Sequence, residues 1–173
     1  MVMAKASTLF EVLAQSKVDP DEMVFHMNND LNNTKTAGMF VTSIVGEYNL
    51  ITDEIRWVNA GHQPAILRNG QGKYDQFESS APPLGVIKQK DKSVYNIHKT
   101  KLNGSRFYAF TDGLSESLND NGEEIGIDGS IGIIEQNYNK DTIKQLDSIT
   151  QSVIGTSQNQ KLSDDLTLIS IGK

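Results

Sequence analysis

Acidic residues at the ends of two predicted strands are the best candidates for chemistry in this sequence. Asp112 ends an apolar strand and precedes Gly113, whereas Asp164 and Asp165 precede the closing strand, predicted over 166–171. Carboxylates without a basic neighbour in the sequence are well placed to hold a hard divalent cation. Both patterns also have a plainer interpretation, because Asp-Gly is typical of a hairpin turn and an Asp-Asp pair is common in polar turns.

The histidines do not extend this candidate site. His62 follows Ala60-Gly61, and we expect it to be a turn residue with local hydrogen bonds rather than a ligand or a base. His26 lies on a predicted helix and His98 in a predicted strand, and neither has a companion at the i, i+4 spacing of metal ligands. There is no nucleophile elbow and no glycine-rich phosphate loop, and no motif points to a Ser–His–Asp triad, although composition alone does not exclude one.

The composition removes several other classes of function. The 173 residues include no cysteine, which excludes disulfides, thiolate catalysis and cysteine-ligated metal sites. With 16 basic and 22 acidic residues the formal net charge is −6, which argues against a general nucleic-acid or anionic-membrane partner. No uncharged apolar run approaches the length of a membrane span, and no secretory signal is visible, so we expect a cytoplasmic location.

The hydrophobic periodicity predicts helices towards both ends of the chain and a run of strands between them. Helices are predicted over 1–18, 20–33, 130–138 and 141–154, and strands over 39–50, 54–60, 65–68, 73–78, 93–101, 106–111 and 166–171. Asp19 is expected to cap the second helix, and Gly46 is expected to form a β-bulge. This order indicates one α+β domain over residues 1–173, with helices and antiparallel strands in separate layers.

Six short blocks follow one another in a characteristic order along the chain. They are 38–42 (GMFVT), 57–64 (WVNAGHQP), 82–85 (PPLG), 110–116 (FTDGLSE), 121–126 (NGEEIG) and 163–167 (SDDLT). Together they resemble the SpoIIE-like branch of the metal-dependent type-2C protein phosphatases, and the resemblance covers nearly the whole chain.

This resemblance implies a fold, a reaction and a set of site residues. The family fold is an α-β-β-α sandwich, in which two antiparallel sheets are flanked by helices. The family site is a two-metal centre with Mn²⁺ or Mg²⁺, whose bridging water attacks the phosphorus of a phosphoserine or phosphothreonine in line. By their places in the blocks, Asp112 and Asp164 match metal-ligand carboxylates. Gly113 is expected to allow close backbone approach, and Asp165 is a candidate supporting residue.

The chain departs from the family pattern in one respect. The Gly-Asp-x-x-Asp strand motif and the Asp-Gly-x-Gly loop, which supply the carboxylates that bridge the two metals in the family, do not occur in the sequence. We therefore expect an N-terminally truncated domain in which at most one metal is well held and activity is weak or lost. The missing strands would also expose a sheet edge, so we expect a homo-oligomer that pairs through this edge.

The resemblance implies a partner as well. The branch acts in bacterial partner-switching pathways, so the expected substrate is a phosphorylated regulatory protein such as an anti-sigma-factor antagonist. Two alternatives stay open at this point. One is a pseudophosphatase that keeps the fold and binds a regulatory partner without catalysis, and the other is an unrelated α+β binding domain.

Overall fold

The structure is a computed structural model that describes residues 2–34, 38–119, 121–139, 141–155 and 165–172. Within these ranges the helices are α1 Val2–Gln15, α2 Pro20–Asn33, α3 Asp112–Ser115, α4 Gly126–Gln136 and α5 Thr142–Gly155. The strands are β1 Ser43–Asn49, β2 Glu54–Ala60, β3 Ala65–Arg68, β4 Tyr74–Phe77, β5 His98–Lys101, β6 Arg106–Phe110 and β7 Leu168–Ile171. They form two antiparallel sheets, which confirms the predicted α+β class.

The chain divides into two compact units. One consists of Met1–Pro64 and Phe77–Asn103, and the other of Ala65–Gln76 and Gly104–Lys173. The prediction of a single domain over 1–173 stays a prediction.

The first unit packs α2 on a sheet with the strand order β1-β2-β5, and α1 packs against α2. Val24, Met27 and Leu31 follow the period of a helix that buries one face. They are buried in one cluster with Val45 of β1 and Val58 of β2. This cluster holds α2 against the sheet.

The second unit carries the predicted acidic segments on a sheet with the strand order β4-β3-β6-β7. All five residues of β6 are buried, as the apolar run at 106–111 predicts for a strand covered on both faces. Ile66 and Tyr108 of this sheet pack with Ile134 of α4 and Ile149 of α5. The packing fixes the end of β6, which Asp112 follows.

Two local predictions in the first unit are wrong. Asp19 occupies the N-cap position of α2, but its side chain makes no capping hydrogen bond and accepts instead from Nη1 of Arg56 at 3.0 Å. Gly46 forms no bulge, because β1 pairs with β2 without interruption. A Cβ atom at Gly46 would lie 2.9 Å from Cβ of Trp57, so the glycine makes room for that side chain.

Several element boundaries also differ from the predictions. The Asp-Gly pair at 112–113 begins the one-turn helix α3 instead of forming a turn. Helix α4 begins at Gly126 rather than near 130, because Ile127 and Ile131 pack against the core and this burial outweighs the low helix propensity of the glycines. Residues 92–94 form a short 3-10 helix, which shortens the strand predicted over 93–101 to β5.

Candidate metal centre

The backbone that follows β6 continues to pair with the segment that precedes β7. The two strands align Phe110 with Leu168. Beyond them, the Thr111 backbone N–H donates to the carbonyl of Thr167 at 3.0 Å, and the Thr167 N–H donates to Thr111 Oγ1 at 2.9 Å. Thr111 Oγ1 in turn donates to the carbonyl of Asp165 at 2.9 Å, across 54 positions of sequence. The Thr111 side chain therefore ties the two acidic segments together.

Gly113 provides the close approach between these two segments. It is buried, and a Cβ atom built there would lie 2.6 Å from the carbonyl oxygen of Asp165 and 3.2 Å from Cα of Leu166. Both neighbours are backbone atoms, so any larger residue would push the segments apart. The glycine sets the spacing between residue 112 and residue 165.

The structure thus brings two of the three predicted carboxylate positions to one end of the sheet. Asp112 is exposed at the first position of α3, where its negative charge favours the helix N-terminus, and Asp165 is also exposed. Asp164, the other predicted ligand, lies outside the described residues. Its neighbour Asp165 is the point at which the second segment meets the first.

The described residues supply few potential metal ligands at this end of the sheet. Across the ranges that the structure describes, no three His, Cys, Asp or Glu side chains come together as a group able to hold a metal ion. Asp112 and Asp165 offer carboxylate oxygens on adjoining segments, and oxygen ligands supplemented by water are what Mg²⁺ and Mn²⁺ accept. Asp165 can thus support a cation held near Asp112, and the described residues contain no group of three ligands such as a two-metal centre needs.

The predicted turn role of His62 is confirmed. Its backbone N–H donates to Oδ1 of Asn59 at 3.0 Å, and its Nδ1 lies 3.3 Å from the carbonyl of Gln63. The fully buried Asn59 also donates through Nδ2 to the carbonyl of Gln63 at 3.0 Å. Asn59 therefore holds the turn that block 57–64 encodes. His98 stacks on Trp57 with ring centroids 5.3 Å apart, and desolvation lowers the pKa of this histidine.

Sequence reasoning missed the two side chains that organise these turns. Thr111 precedes the Asp-Gly pair at a strand end, a position where a threonine hydroxyl readily bonds to backbone. Asn59 is the penultimate residue of β2, two positions before Gly61, a setting in which asparagine commonly closes an Asx turn. Both signals are present in the sequence, but neither specifies the distant partner of the side chain.

Within the part of the chain that the structure describes, no helix is long and apolar enough to cross a bilayer.

Solved phosphatase domains share the fold of this chain. The SiaA-PP2C domain of Pseudomonas aeruginosa superposes with a TM-score of 0.82 at 12% identity, over 98% of this chain and 68% of that one. The manganese-presoaked SpoIIE phosphatase domain of Bacillus subtilis gives a TM-score of 0.63 at 18% identity, over 95% of this chain and 70% of that one. At these identities the likeness is one of fold, and the fold is that of PP2C-type domains.

The chain belongs to the SpoIIE family. The family model described as Stage II sporulation protein E matches residues 1–172. The chain is also 24% identical, over 98% of its length, to the phosphoserine phosphatase RsbU of Bacillus subtilis. The resemblance inferred from the six blocks is confirmed. The chain spans half the length of RsbU and a smaller share of the other curated relatives that it matches.

Proposed function

We propose that this chain is a metal-dependent phosphoserine/phosphothreonine protein phosphatase domain of bacterial partner-switching signalling. The observation that carries the proposal is the hydrogen bond from Thr111 to Asp165, because it joins the two acidic segments at one end of the sheet. Membership in the SpoIIE family and the likeness to a named phosphoserine phosphatase support the same reaction.

Each candidate site residue would have its own role in the reaction. Asp112 and Asp164 would hold a divalent cation, with Asp165 in support, and Gly113 would keep the two segments close enough to share it. A cation held there would lower the pKa of a bound water and neutralise charge on the phosphoryl oxygens. Because no cysteine is present, the reaction would proceed by attack of water rather than through a thiol intermediate.

Mn²⁺ and Mg²⁺ are the cations that the site is expected to accept. Two relatives support this choice, since one solved SpoIIE phosphatase domain was presoaked with manganese and a structure of RsbX is in complex with magnesium. A two-carboxylate site should bind weakly, with a dissociation constant on the order of 10⁻³ M, comparable to the weakest protein sites for hard cations.

The substrate would be a phosphorylated regulatory protein, such as an anti-sigma-factor antagonist. RsbU and RsbP, two of the curated relatives, are named phosphoserine phosphatases, which supports phosphoserine in a protein as the target. The predicted homo-oligomer would form through a free sheet edge. β1 and β7 each lie at the edge of a described sheet and supply candidates for it.

A pseudophosphatase is the second candidate function. The observation that favours it is that the described residues bring no three potential metal ligands together. In this case the chain would keep the fold and bind the regulatory partner, but it would not remove the phosphate from a phosphoserine protein.

The test measures Mn²⁺-dependent release of phosphate from phosphocasein with malachite green. The wild-type chain should turn over slowly, and Asp112→Asn should lower the rate at least tenfold. Asp75→Asn, an exposed aspartate in β4, is the matched control and should leave the rate unchanged. Wild-type release that needs no divalent cation, or that survives Asp112→Asn, would refute the assignment of the site. Binding without any release would favour the pseudophosphatase.

A further inference from the structure

An exposed apolar patch lies on the first unit. Its four side chains are Met39 at 45%, Phe40 at 56%, Val86 at 49% and Ile87 at 56% exposure. We call these four residues the 39/86 patch. Large apolar side chains that are exposed next to one another are a usual sign of a binding surface.

Backbone pairing brings the two halves of the patch together. The Val41 N–H donates to the carbonyl of Leu84 at 2.9 Å, and the Leu84 N–H donates to the carbonyl of Val41 at 2.8 Å. Gly85 follows with a φ of +90°, and a Cβ there would lie 3.9 Å from Cα of Phe40. The backbone of Met39 and Phe40 therefore lies close to the glycine that precedes Val86.

Two asparagines of α2 fix the loop that presents Val86 and Ile87. Asn28, only 1% exposed, accepts from the Gly85 N–H and donates to the carbonyl of Ile87, both at 3.0 Å. Asn29 accepts from the Gln89 N–H and donates to the carbonyl of Gln89, again at 3.0 Å. A loop held at both ends in this way loses little conformational entropy when it binds a partner.

The charge beside the patch is positive, although the whole chain carries a net charge of −6. Lys88 and Lys90 are exposed in the same loop. Lys88 donates to the neutral Oδ1 of Asn33 at 2.9 Å, and Lys90 forms no ion pair with a described residue. Lys92, by contrast, is neutralised by Asp21 and Glu22 at 3.2 and 3.4 Å. Lys88 and Lys90 thus put two positive charges, neither in an ion pair with a described residue, on the loop that presents Ile87, with the exposed Asp91 after them.

We propose that the 39/86 patch docks an acidic segment of the phosphoprotein substrate. An apolar side chain of this segment would pack on Val86 and Ile87, and its acidic groups would lie near Lys88 and Lys90. Charge complementarity selects this occupant over a second copy of the chain, because a two-fold pairing of the patch would bring its lysines face to face. The inference rests on the proposed function for the identity of the partner.

The test compares two variants of the patch with two matched controls. Ile87→Asp places a charge on the apolar surface, and Lys90→Glu reverses the local charge. Ile51→Asp makes the same change at a residue that is 95% exposed in the β1–β2 turn, and Lys73→Glu makes the same reversal in the β3–β4 turn. All four sites are exposed, so the urea midpoint of each variant should stay close to that of the wild type, and this is checked first.

The readouts are the affinity for fluorescently labelled phosphocasein and the hydrolysis of p-nitrophenyl phosphate. Ile87→Asp should raise the dissociation constant for phosphocasein about tenfold, which corresponds to about 1.4 kcal/mol. Lys90→Glu should raise it about threefold, and this loss should shrink as salt is added. Neither variant should change the hydrolysis of p-nitrophenyl phosphate, which has no acidic segment and no apolar side chain to dock. The two control variants should bind phosphocasein like the wild type.

Failure of the docking inference and failure of the proposed function give different results. Casein binding that is lost in Ile87→Asp, with no phosphate release by any variant, supports docking and refutes the phosphatase. Casein binding that Ile87→Asp leaves unchanged, or that Ile51→Asp weakens equally, refutes docking whatever the activity. A wild-type dimer that Ile87→Asp converts to monomer, with casein binding unchanged, would identify the patch as a contact between copies and also overturn the proposal.

Discussion

The six blocks that carry the family resemblance form one group in each unit of the structure. In the first unit, block 38–42 pairs with block 82–85, and Ala60 of block 57–64 forms a bridge with Ala81. In the second unit, Leu118 and Glu124 form a bridge that brings blocks 110–116 and 121–126 close. There the described part of the last block, 165–167, bonds to Thr111.

The two groups differ in the chemistry of their side chains. The three blocks of the first unit contain no acidic residue, whereas each block of the second unit contains two. In the first group the Asn59 amide holds its turn and Pro83 lies against Gly61. In the second group the Thr111 hydroxyl and Gly113 hold the segments together. The comparison indicates that the first group shapes a surface and the second gathers carboxylates, although all six belong to one family signature.

The largest effects should come from the glycine at the closest approach in each group. A Cβ at Gly61 would lie 2.3 Å from Cγ of Pro83, at a φ of +69°, and a Cβ at Gly113 would lie 2.6 Å from the Asp165 carbonyl oxygen. Overpacking should cost each alanine variant about 1–3 kcal/mol of unfolding free energy, and the left-handed backbone should add about 1 kcal/mol at Gly61. Urea unfolding measures both.

The same pair of variants separates the two groups by function. Gly113→Ala should weaken Mn²⁺ binding, measured by calorimetry at a temperature where the variant is folded, whereas Gly61→Ala should leave it unchanged. Gly70→Ala, where a Cβ meets no atom within 4 Å, is the control and should change stability by less than about 0.5 kcal/mol. Equal loss of Mn²⁺ binding in both glycine variants would contradict the claim that the second group, and not the first, gathers the carboxylates.

A smaller effect is expected when Asn28, whose side chain holds the 85–87 loop of the first unit, is replaced by alanine. Asn28→Ala leaves the Gly85 N–H and the Ile87 carbonyl without their partner. The unfolding free energy should fall by about 1–3 kcal/mol, because an unsatisfied buried polar group costs about this much. Hydrogen exchange of the Gly85 amide should accelerate with it. Gln15→Ala, which removes an exposed side-chain amide from α1, is the control. Slow exchange at Gly85 in the Asn28→Ala variant would contradict this role of Asn28.

The smallest effect concerns the ion pair between Arg68 and Glu135 in the second unit. Arg68 donates through Nε and Nη2 to both carboxylate oxygens of Glu135 at 2.7 and 3.0 Å. These hydrogen bonds, with one from the Tyr74 hydroxyl, hold the pKa of Glu135 below its ordinary value of 4.5. The charged form is therefore favoured in the folded state. The stability that it contributes is present above about pH 4.5 and is lost as the pH falls through the lower folded pKa.

Glu135→Gln should therefore cost about 0.5–1 kcal/mol at pH 7, since the glutamate is nearly half exposed and solvent screens the pair. The difference from the wild type should shrink as the pH falls below 4.5. Urea midpoints between pH 3 and 7 measure it, with the exposed Glu78→Gln as the control. A difference that stays constant with pH would show that packing, and not charge, is what the substitution removes.

Much of the fold follows from local sequence signals. The alternation at 54–60 and the run at 65–68 predict β2 and β3 with their observed bounds. Pro20 at the first position and the apolar period that follows predict α2. These elements succeed because propensity, periodicity and burial agree in each of them.

The remaining features depend on partners that are distant in the sequence. The reason for a glycine at position 46 is the close approach of Trp57 on the neighbouring strand. Asp19 accepts a hydrogen bond from Arg56 instead of capping α2. Asn28 looks unfavourable inside a helix until its bonds to the 85–87 loop are known. Likewise, the acidic motifs predict that carboxylates matter, but only the pairing of Thr111 with Asp165 brings them together.

The most direct test of the central claim is paramagnetic broadening of amide NMR signals by substoichiometric Mn²⁺. If the two acidic segments share one cation, the signals of 111–115 and 165–168 should broaden together. Asp112→Asn should abolish the broadening in both segments, and Asp75→Asn should not. Broadening of only one segment, or of both in Asp112→Asn, would contradict a shared cation at the end of β6.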